Sequence, residues 1–247
     1  MADGSLDIEQ LAAYLHVGPQ KVIKLAERGD VPGRKVSGVW RFSEAEVHAW
    51  LENRIGAGSS DDLQVVQKVV DRWSDSHSGV IRLFDLLPVE AIEIPLAART
   101  PKAVIRRMCE LAQQTGLLWD TAKMAEAVQA REELHPTALD CGVSLLHPRR
   151  PQSSNLGGPL LALGILSNAL PFGNRGGHLT DIFFLICSTD DRVHLQVLAK
   201  LSRLLSGTRF IEEIHQVNSV GEARQLLERC EQELDLADTQ AILPATR

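Results

Sequence analysis

Apolar residues recur along this chain in two rhythms, and the change from one to the other divides it. Over residues 6–53 the rhythm is that of short helices. Leu6, Leu11, Ala12 and Leu15 predict one apolar helix face, and Val22, Ile23 and Leu25 predict the buried side of a second helix. Between them Val17-Gly18 reads as a tight turn, and Pro19 takes the first helical position, where its missing N–H costs nothing. Gly29-Asp30 ends that helix. Lys35-Val-Ser-Gly-Val-Trp-Arg-Phe42 predicts two short strands around Ser37-Gly38, a hairpin or wing. Ser43, with Glu46 three residues on, predicts a capping box for a last helix ending at Trp50-Leu51.

Gly56-Ala-Gly-Ser-Ser60 is small and flexible and reads as a linker. Asp61 or Asp62 then caps a helical pattern through Leu63, Val65, Val66, Val69, Val70 and Trp73, which Ser74–Gly79 interrupts. From about Ile81 strands and helices alternate. Glu90–Leu96 predicts a short strand, Thr100-Pro101 opens a helix through Leu111, and Asp120 caps another to about Glu133. The apolar runs Leu160–Leu166 and Thr180–Cys187 predict central strands. Asp190 or Asp191 caps a helix to Leu205, and two more short helices precede a frayed tail. The expected division is a helix-turn-helix module at 1–55, linker and helix at 56–80, an α/β domain with a largely buried sheet at 81–236, and a tail at 237–247.

Composition agrees with this division and narrows it. A length of 247 residues is comfortable for two domains. The longest apolar stretches, such as Gly158–Leu166, fall well short of a membrane span, and Met-Ala-Asp-Gly opens the chain with no signal-peptide pattern. Cys109, Cys141, Cys187 and Cys230 show neither a CxxC pair nor metal-ligand spacing, so reduced and mostly buried thiols in a cytoplasmic protein are expected, with no metal or other cofactor. The net charge is -6, which argues against a protein that coats nucleic acid everywhere. Yet Pro19–Phe42 holds six basic residues (Lys21, Lys24, Arg28, Arg34, Lys35, Arg41) against Glu27 and Asp30, a local balance of +4. Local charge governs affinity for phosphates. Gln20, Lys21, Lys24 and Arg28 on the second helix, with Arg34, Lys35 and Arg41 on the wing, are therefore the candidate DNA-binding residues. Specificity would rest mainly on Gln20, Lys21 and Lys24. The bland alternative is a small helical module for protein contacts, with these charges merely solvated.

The stretches Leu6-Asp-Ile-Glu-Gln-Leu-Ala-Ala-Tyr-Leu-His-Val-Gly, Ala26-Glu-Arg-Gly-Asp-Val-Pro-Gly-Arg-Lys-Val and Trp40-Arg-Phe resemble the excisionase/MerR-type helix-turn-helix family. The resemblance implies double-stranded DNA as partner, the second helix in the major groove, and a homodimer gripping two half-sites. Pro19 stands where the family often has Ser or Thr after the turn glycine.

The chemically suggestive part of the second domain is Arg131-Glu-Glu-Leu-His-Pro-Thr-Ala-Leu-Asp-Cys-Gly-Val-Ser-Leu-Leu-His-Pro148, in which Val143–Leu146 predicts a short strand delivering His147 at its end. Arg149 and Arg150 beside it could hold a phosphate or be a solvated pair. This segment, with Ala169-Leu-Pro-Phe172, the strand Thr180–Leu185 and the helix Asp191–Ala199, resembles the enzyme IIA domain of the bacterial phosphotransferase system, in its fructose/mannitol and nitrogen-regulatory branch. The resemblance covers roughly residues 82–235 and implies a mixed sheet flanked by helices. It matches Arg131-Glu132 to the family's Arg-Glu, Thr137 to its loop Thr, Gly142 to a loop Gly, His147 to the phosphoryl acceptor and His194 to a second histidine close to it. Two departures stand out. The family's Thr-Gly-Ile-Gly loop is Thr137-Ala-Leu-Asp140 here, and the Pro before the His is Leu146.

The resemblance implies His147, His194, Arg131 and Thr137 as catalytic residues and a phosphohistidine carrier protein as partner. A DNA-binding regulator read out by phosphorylation is the leading expectation. The alternatives are a phosphocarrier passing phosphate to a partner's cysteine, and a domain that has lost phosphoryl chemistry and serves as a binding unit.

Overall fold

The computed structural model describes residues 5–15, 17–44, 46–47, 49–51, 81–173 and 177–242. The chain separates into two compact units, residues 1–80 and 81–247. The linker predicted at 56–60 and the helix predicted over 63–73 lie outside the described residues.

In the first unit, β1 (Ser5–Leu6), α1 (Ile8–Tyr14), α2 (Pro19–Arg28), β2 (Arg34–Val36) and β3 (Val39–Ser43) follow one another, and the described positions of 44–51 are helical. The Asp7 carboxylate accepts from Gln10 N–H while the Gln10 side chain accepts from Asp7 N–H, a reciprocal capping box that starts α1. Leu6 therefore lies outside the helix predicted for it and pairs with Phe42 across β1–β3. Gly29 closes α2 in the left-handed region at φ 75°. Burial of α2 rests on Val22 and Ala26, with Ile23 and Leu25 only half-buried, because the helix packs through a narrower stripe than its apolar residues suggested. Ser37 and Gly38 both have positive φ, 50° and 81°, the pair of conformations a two-residue type I′ turn needs to match the twist of β2 and β3. The result is a three-stranded sheet in the order β1-β3-β2 beside a helix-turn-helix, a small winged module.

The second unit opens with α3 (Leu83–Leu86), a 3₁₀ turn (Val89–Ala91) and β4 (Ile92–Glu93). The strand predicted over Glu90–Leu96 is thus reduced to two residues. The 3₁₀ turn takes its start, and Leu96 N–H reaches the Ile165 carbonyl only after Ile94-Pro95. Next come α4 (Pro101–Gln114), α5 (Thr121–Leu134), β5 (Val143–Leu146), β6 (Leu160–Pro171), β7 (Leu179–Cys187), α6 (Asp191–Gly207), α7 (Phe210–Ile214) and α8 (Val220–Ile242). The caps are those the sequence marks: Thr100 accepts from Ala103 N–H, Asp120 from Lys123 N–H and Asp190 from Val193 N–H. Two lengths differ from expectation. β6 continues past Leu166 through an irregularity to Pro171, because β7 pairs with it on both sides of the break. The last helix runs 23 residues rather than ending as a short one.

The sheet is mixed, in the order β4-β6-β7-β5, with β4 parallel to β6, β6 antiparallel to β7 and β7 parallel to β5. Alternation sorts its residues. Phe183, Leu185 and Cys187 of β7 and Leu146 of β5 join Val104, Met108, Met124 and Val128 in the core beneath α4 and α5. Helix α6 contributes Leu195, Leu198, Leu201 and Leu205 as a buried stripe and packs against β7. Because β5 and β7 are parallel neighbours, the residues just after both strands emerge at the same end of the sheet. That end carries His147 and the start of α6.

Candidate functional site

His147 follows β5 directly and is buried at 3% exposure. Its Nδ1 lies 2.7 Å from the Leu145 carbonyl oxygen. A carbonyl can only accept, so Nδ1 carries the proton and the lone pair of the neutral ring sits on Nε2. His194 lies in the first turn of α6, also buried, and the two imidazoles face each other with centroids 5.0 Å apart and planes inclined by 56°. Two histidines 47 positions apart in sequence thus meet at one end of the sheet. Arg149 and Arg150 stand exposed immediately beyond His147.

Arg131 and Glu132 sit in the last turn of α5 and hold the loop that leads into β5. The Arg131 guanidinium is buried and its Nη1 donates to the His135 carbonyl. The Glu132 carboxylate accepts from the Thr137 amide at 3.1 Å and from the Thr137 hydroxyl. The Thr137 hydroxyl oxygen also lies 2.9 Å from Ser144 Oγ, on β5. Sequence reasoning placed His147, His194, Arg131 and Thr137 in one site. The structure brings the two histidines into ring contact, whereas Thr137 spends its hydroxyl proton on Glu132. Glu132 entered only through the Arg131-Glu132 match to the family, with no role given to it, and Ser144 was not singled out. Beyond that match, the signals were spacing: a carboxylate at the end of a helix shortly before a loop threonine, and a hydroxyl alternating with apolar positions in a buried strand. The loop Thr137–Gly142 folds back on β5 through Leu139 N–H to Val143 O and the Ala138↔Ser144 bridge, with Gly142 at φ 83° making the turn.

Burial pushes the Glu132 carboxyl above its ordinary value, and the Thr137 hydrogen bonds and the charge of Arg131 only partly oppose it. The folded state therefore keeps this proton through a window in which the unfolded chain has released it. Its stabilising contribution is complete below the ordinary carboxylate value, declines as pH rises and is gone above the raised folded value. Glu132→Gln is expected to flatten that part of the profile. Urea-unfolding free energies across the mildly acidic range check it, and parallel profiles for the two proteins would refute it.

His215 donates from Nδ1 to the Ile211 carbonyl and lies 3.0 Å from Asp181 Oδ2 through Nε2, tying α7 to β7. Among the described residues no group of three or more His, Cys, Asp or Glu is placed to hold a metal ion, and no helix is long and apolar enough to cross a membrane.

In the first unit Gln20, Lys21, Lys24 and Arg28 are all exposed along α2, and Arg34, Lys35 and Arg41 are exposed on the hairpin. Arg34 lies directly opposite Arg41 in the β2–β3 register, an unfavourable pairing of like charges. Arg34 leans 3.6 Å toward Glu46, and Lys35 sits 5.2 Å over the Trp40 ring, which itself stacks on Phe42 at 6.0 Å. Trp40 is thereby part of the hairpin's packing.

A winged helix-turn-helix and a mixed α/β domain with a buried histidine pair make this a two-module protein. Residues 85–230, more than half the chain, match the family described as the phosphoenolpyruvate-dependent sugar phosphotransferase system, EIIA 2, and the chain belongs to that family. Residues 5–55 match the helix-turn-helix domain family. Among solved structures the chain is similar in fold to the nitrogen regulatory protein IIA-Ntr from Neisseria meningitidis. Identity is 23% over 58% of this chain and 97% of that one, with a TM-score of 0.53. It is likewise similar to IIA mannitol from Escherichia coli, at 22% identity over 57% and 97% of the two chains and a TM-score of 0.50. A third is the PTS IIA domain from Streptococcus pyogenes, at 18%, 61% and 97%, with a TM-score of 0.52.

Proposed function

We propose that this protein is a DNA-binding regulator whose enzyme IIA domain accepts a phosphoryl group on His147. The observation that carries the reading is the His147–Leu145 hydrogen bond. It leaves Nε2 as the nucleophilic nitrogen of an imidazole that is buried and faced by a second histidine. The donor is a phosphohistidine carrier protein. The Nε2 lone pair forms the new P–N bond as the donor's P–N bond breaks, and the leaving imidazole takes back its electron pair. Nδ1–H stays on the Leu145 carbonyl throughout, and the positive character the ring gains on phosphorylation strengthens that bond. His194 supplies a donor to the phosphoryl oxygens, and the Arg131 guanidinium adds positive potential from behind. The DNA-facing residues are Gln20, Lys21, Lys24 and Arg28 of α2, which enter the major groove, with Arg34, Lys35 and Arg41 gripping the backbone. Fusion of the two modules in one chain makes phosphorylation the input and DNA occupancy the output.

The test is phosphoryl transfer from phosphoenolpyruvate through the general phosphotransferase proteins, read by intact mass under non-acidic conditions. A gain of one phosphoryl group is expected, and none for His147→Ala. No gain in a folded wild-type sample, alongside a working control acceptor, would overturn the reading. Gel-shift affinity for duplex DNA with and without the phosphoryl group then tests the regulatory half.

A further inference from the structure

Thr137 stands at the crossing of two hydrogen-bond paths. On one side its amide and hydroxyl both donate to the Glu132 carboxylate at the end of α5. On the other its carbonyl accepts the Leu145 amide at 3.3 Å, inside β5. The peptide oxygen of Leu145 in turn receives Nδ1–H of His147 at 2.7 Å. A continuous series thus runs from Glu132 through Thr137 and Leu145 to the imidazole. The Ser144–Thr137 contact and the Leu139-to-Val143 hydrogen bond hold the same loop edge against the strand. Arg131, the neighbour of Glu132, grips the His135 carbonyl on the loop's other arm. Two adjacent side chains in one helical turn therefore set both ends of residues 135–137.

A carboxylate is an expensive way to close a buried loop if only stability is at stake, since apolar residues of similar volume serve as well or better. What it supplies is direction. Two acceptor oxygens receiving two donors of one residue leave Thr137 no freedom to rotate, so its carbonyl points at Leu145. The glycines expected at positions 138 and 140 for a phosphate-cradling loop are Ala138 and Asp140 here. At positions 137–140 the loop geometry therefore rests on side-chain bonds, with glycine backbone used only at the Gly142 turn.

We propose that Glu132 is the positioning residue of His147, acting through Thr137 and the Leu145 peptide to keep the imidazole in the Nδ1–H tautomer with Nε2 as the reacting nitrogen. This rests on the proposed phosphorylation of His147 and names a further part of that site. It gives Thr137 a positioning role rather than direct contact with phosphoryl oxygens.

The test uses the full chain with ¹⁵N-labelled histidine, unphosphorylated and at alkaline pH, with the His147 signals assigned by difference from His147→Ala. Wild type is expected to show one protonated and one bare ring nitrogen. Thr137→Val, which keeps shape but removes the hydroxyl, and Glu132→Ala are expected to draw the two ¹⁵N shifts together as tautomers mix, while Thr137→Ser restores their separation. In the transfer assay, Thr137→Val is expected to lower the rate at saturating donor about 10- to 100-fold, the scale on which loss of an orienting partner acts, with the donor KM little changed. Folding is checked by amide spectra, and if Glu132→Ala does not fold, Glu132→Gln and the Thr137 pair decide. Wild-type tautomer and rate in a folded Thr137→Val would overturn the proposal. Wild type that takes no phosphate would sink the proposed function instead, and the tautomer measurement would still decide the role of Glu132.

Discussion

Replacing Lys21, Lys24 and Arg28 together by Ala is expected to weaken binding to duplex DNA by roughly a hundredfold near 0.1 M salt. The slope of log K against log salt is expected to shrink in magnitude, by about 0.9 for each of the three cations that neutralises a phosphate beside the groove. All three side chains are exposed on α2, and the helix is buried through Val22 and Ala26, so the substitution leaves its packing intact. The hairpin would retain Arg34, Lys35 and Arg41, which distinguishes the two contributions: the Arg34→Ala/Arg41→Ala pair should reduce affinity for all sequences alike, whereas Gln20→Ala should relax preference among them. The Arg34–Arg41 register is the physical reason to expect a backbone contact there. Like charges on facing strand positions repel; the exposed Glu46 carboxylate 3.6 Å from Arg34 offsets part of this, and a phosphate would offset it further. Fluorescence anisotropy across a salt series measures all of this. Unchanged binding by the triple variant would move the reader off α2.

The largest stability effect is expected at Glu231. This residue of α8 is 1% exposed, and its two carboxylate oxygens accept the amides of Leu83 at 2.6 Å and Phe84 at 3.0 Å, at the start of α3. Lys200 of α6 reaches the same carboxylate at 2.8 Å and also donates to the Ile81 carbonyl at 3.0 Å, with Asp235 3.3 Å away. Arg224 completes the grip on this segment, stacking 3.6 Å over the Phe84 ring and donating to the Leu87 carbonyl. Glu231→Ala would leave two buried amides without acceptors and a largely buried ammonium short of its partner. Breaking such a pair from one side costs about 3–5 kcal/mol. At roughly 2–4 °C per kcal/mol for a domain of this size, Tm should fall by about 10 °C. Glu231→Gln, which keeps the volume and one acceptor, should cost clearly less. Calorimetry of the full chain decides it, and an Ala variant that melts with wild type would show that the cluster is solvated rather than buried.

Much of this architecture is local chemistry and was legible in the residues themselves. Asp120, Thr100 and Asp190 cap their helices because a short side-chain acceptor finds an amide three residues on, whatever surrounds it. Ser37-Gly38 makes its turn, and Val143–Leu146 is a strand, for equally local reasons. The winged helix-turn-helix and the enzyme IIA-type α/β fold could be read from these signals together with family resemblance. What depends on partners far along the chain could not. Leu6 joins Phe42 instead of extending α1, β6 runs on because β7 continues to pair with it, and β4 shrinks where the 3₁₀ turn and Ile94-Pro95 take its ends. Family resemblance, not local pattern, put His194 near His147; their ring contact, and the route from Glu132 through Thr137 and Leu145 to the imidazole, arise only when parallel β5 and β7 bring their ends together and α5 closes its loop against β5. Caps and turns are written within four residues. A buried site depends on contacts across 47 positions, and tertiary packing alone decides which of the chain's polar groups it brings together.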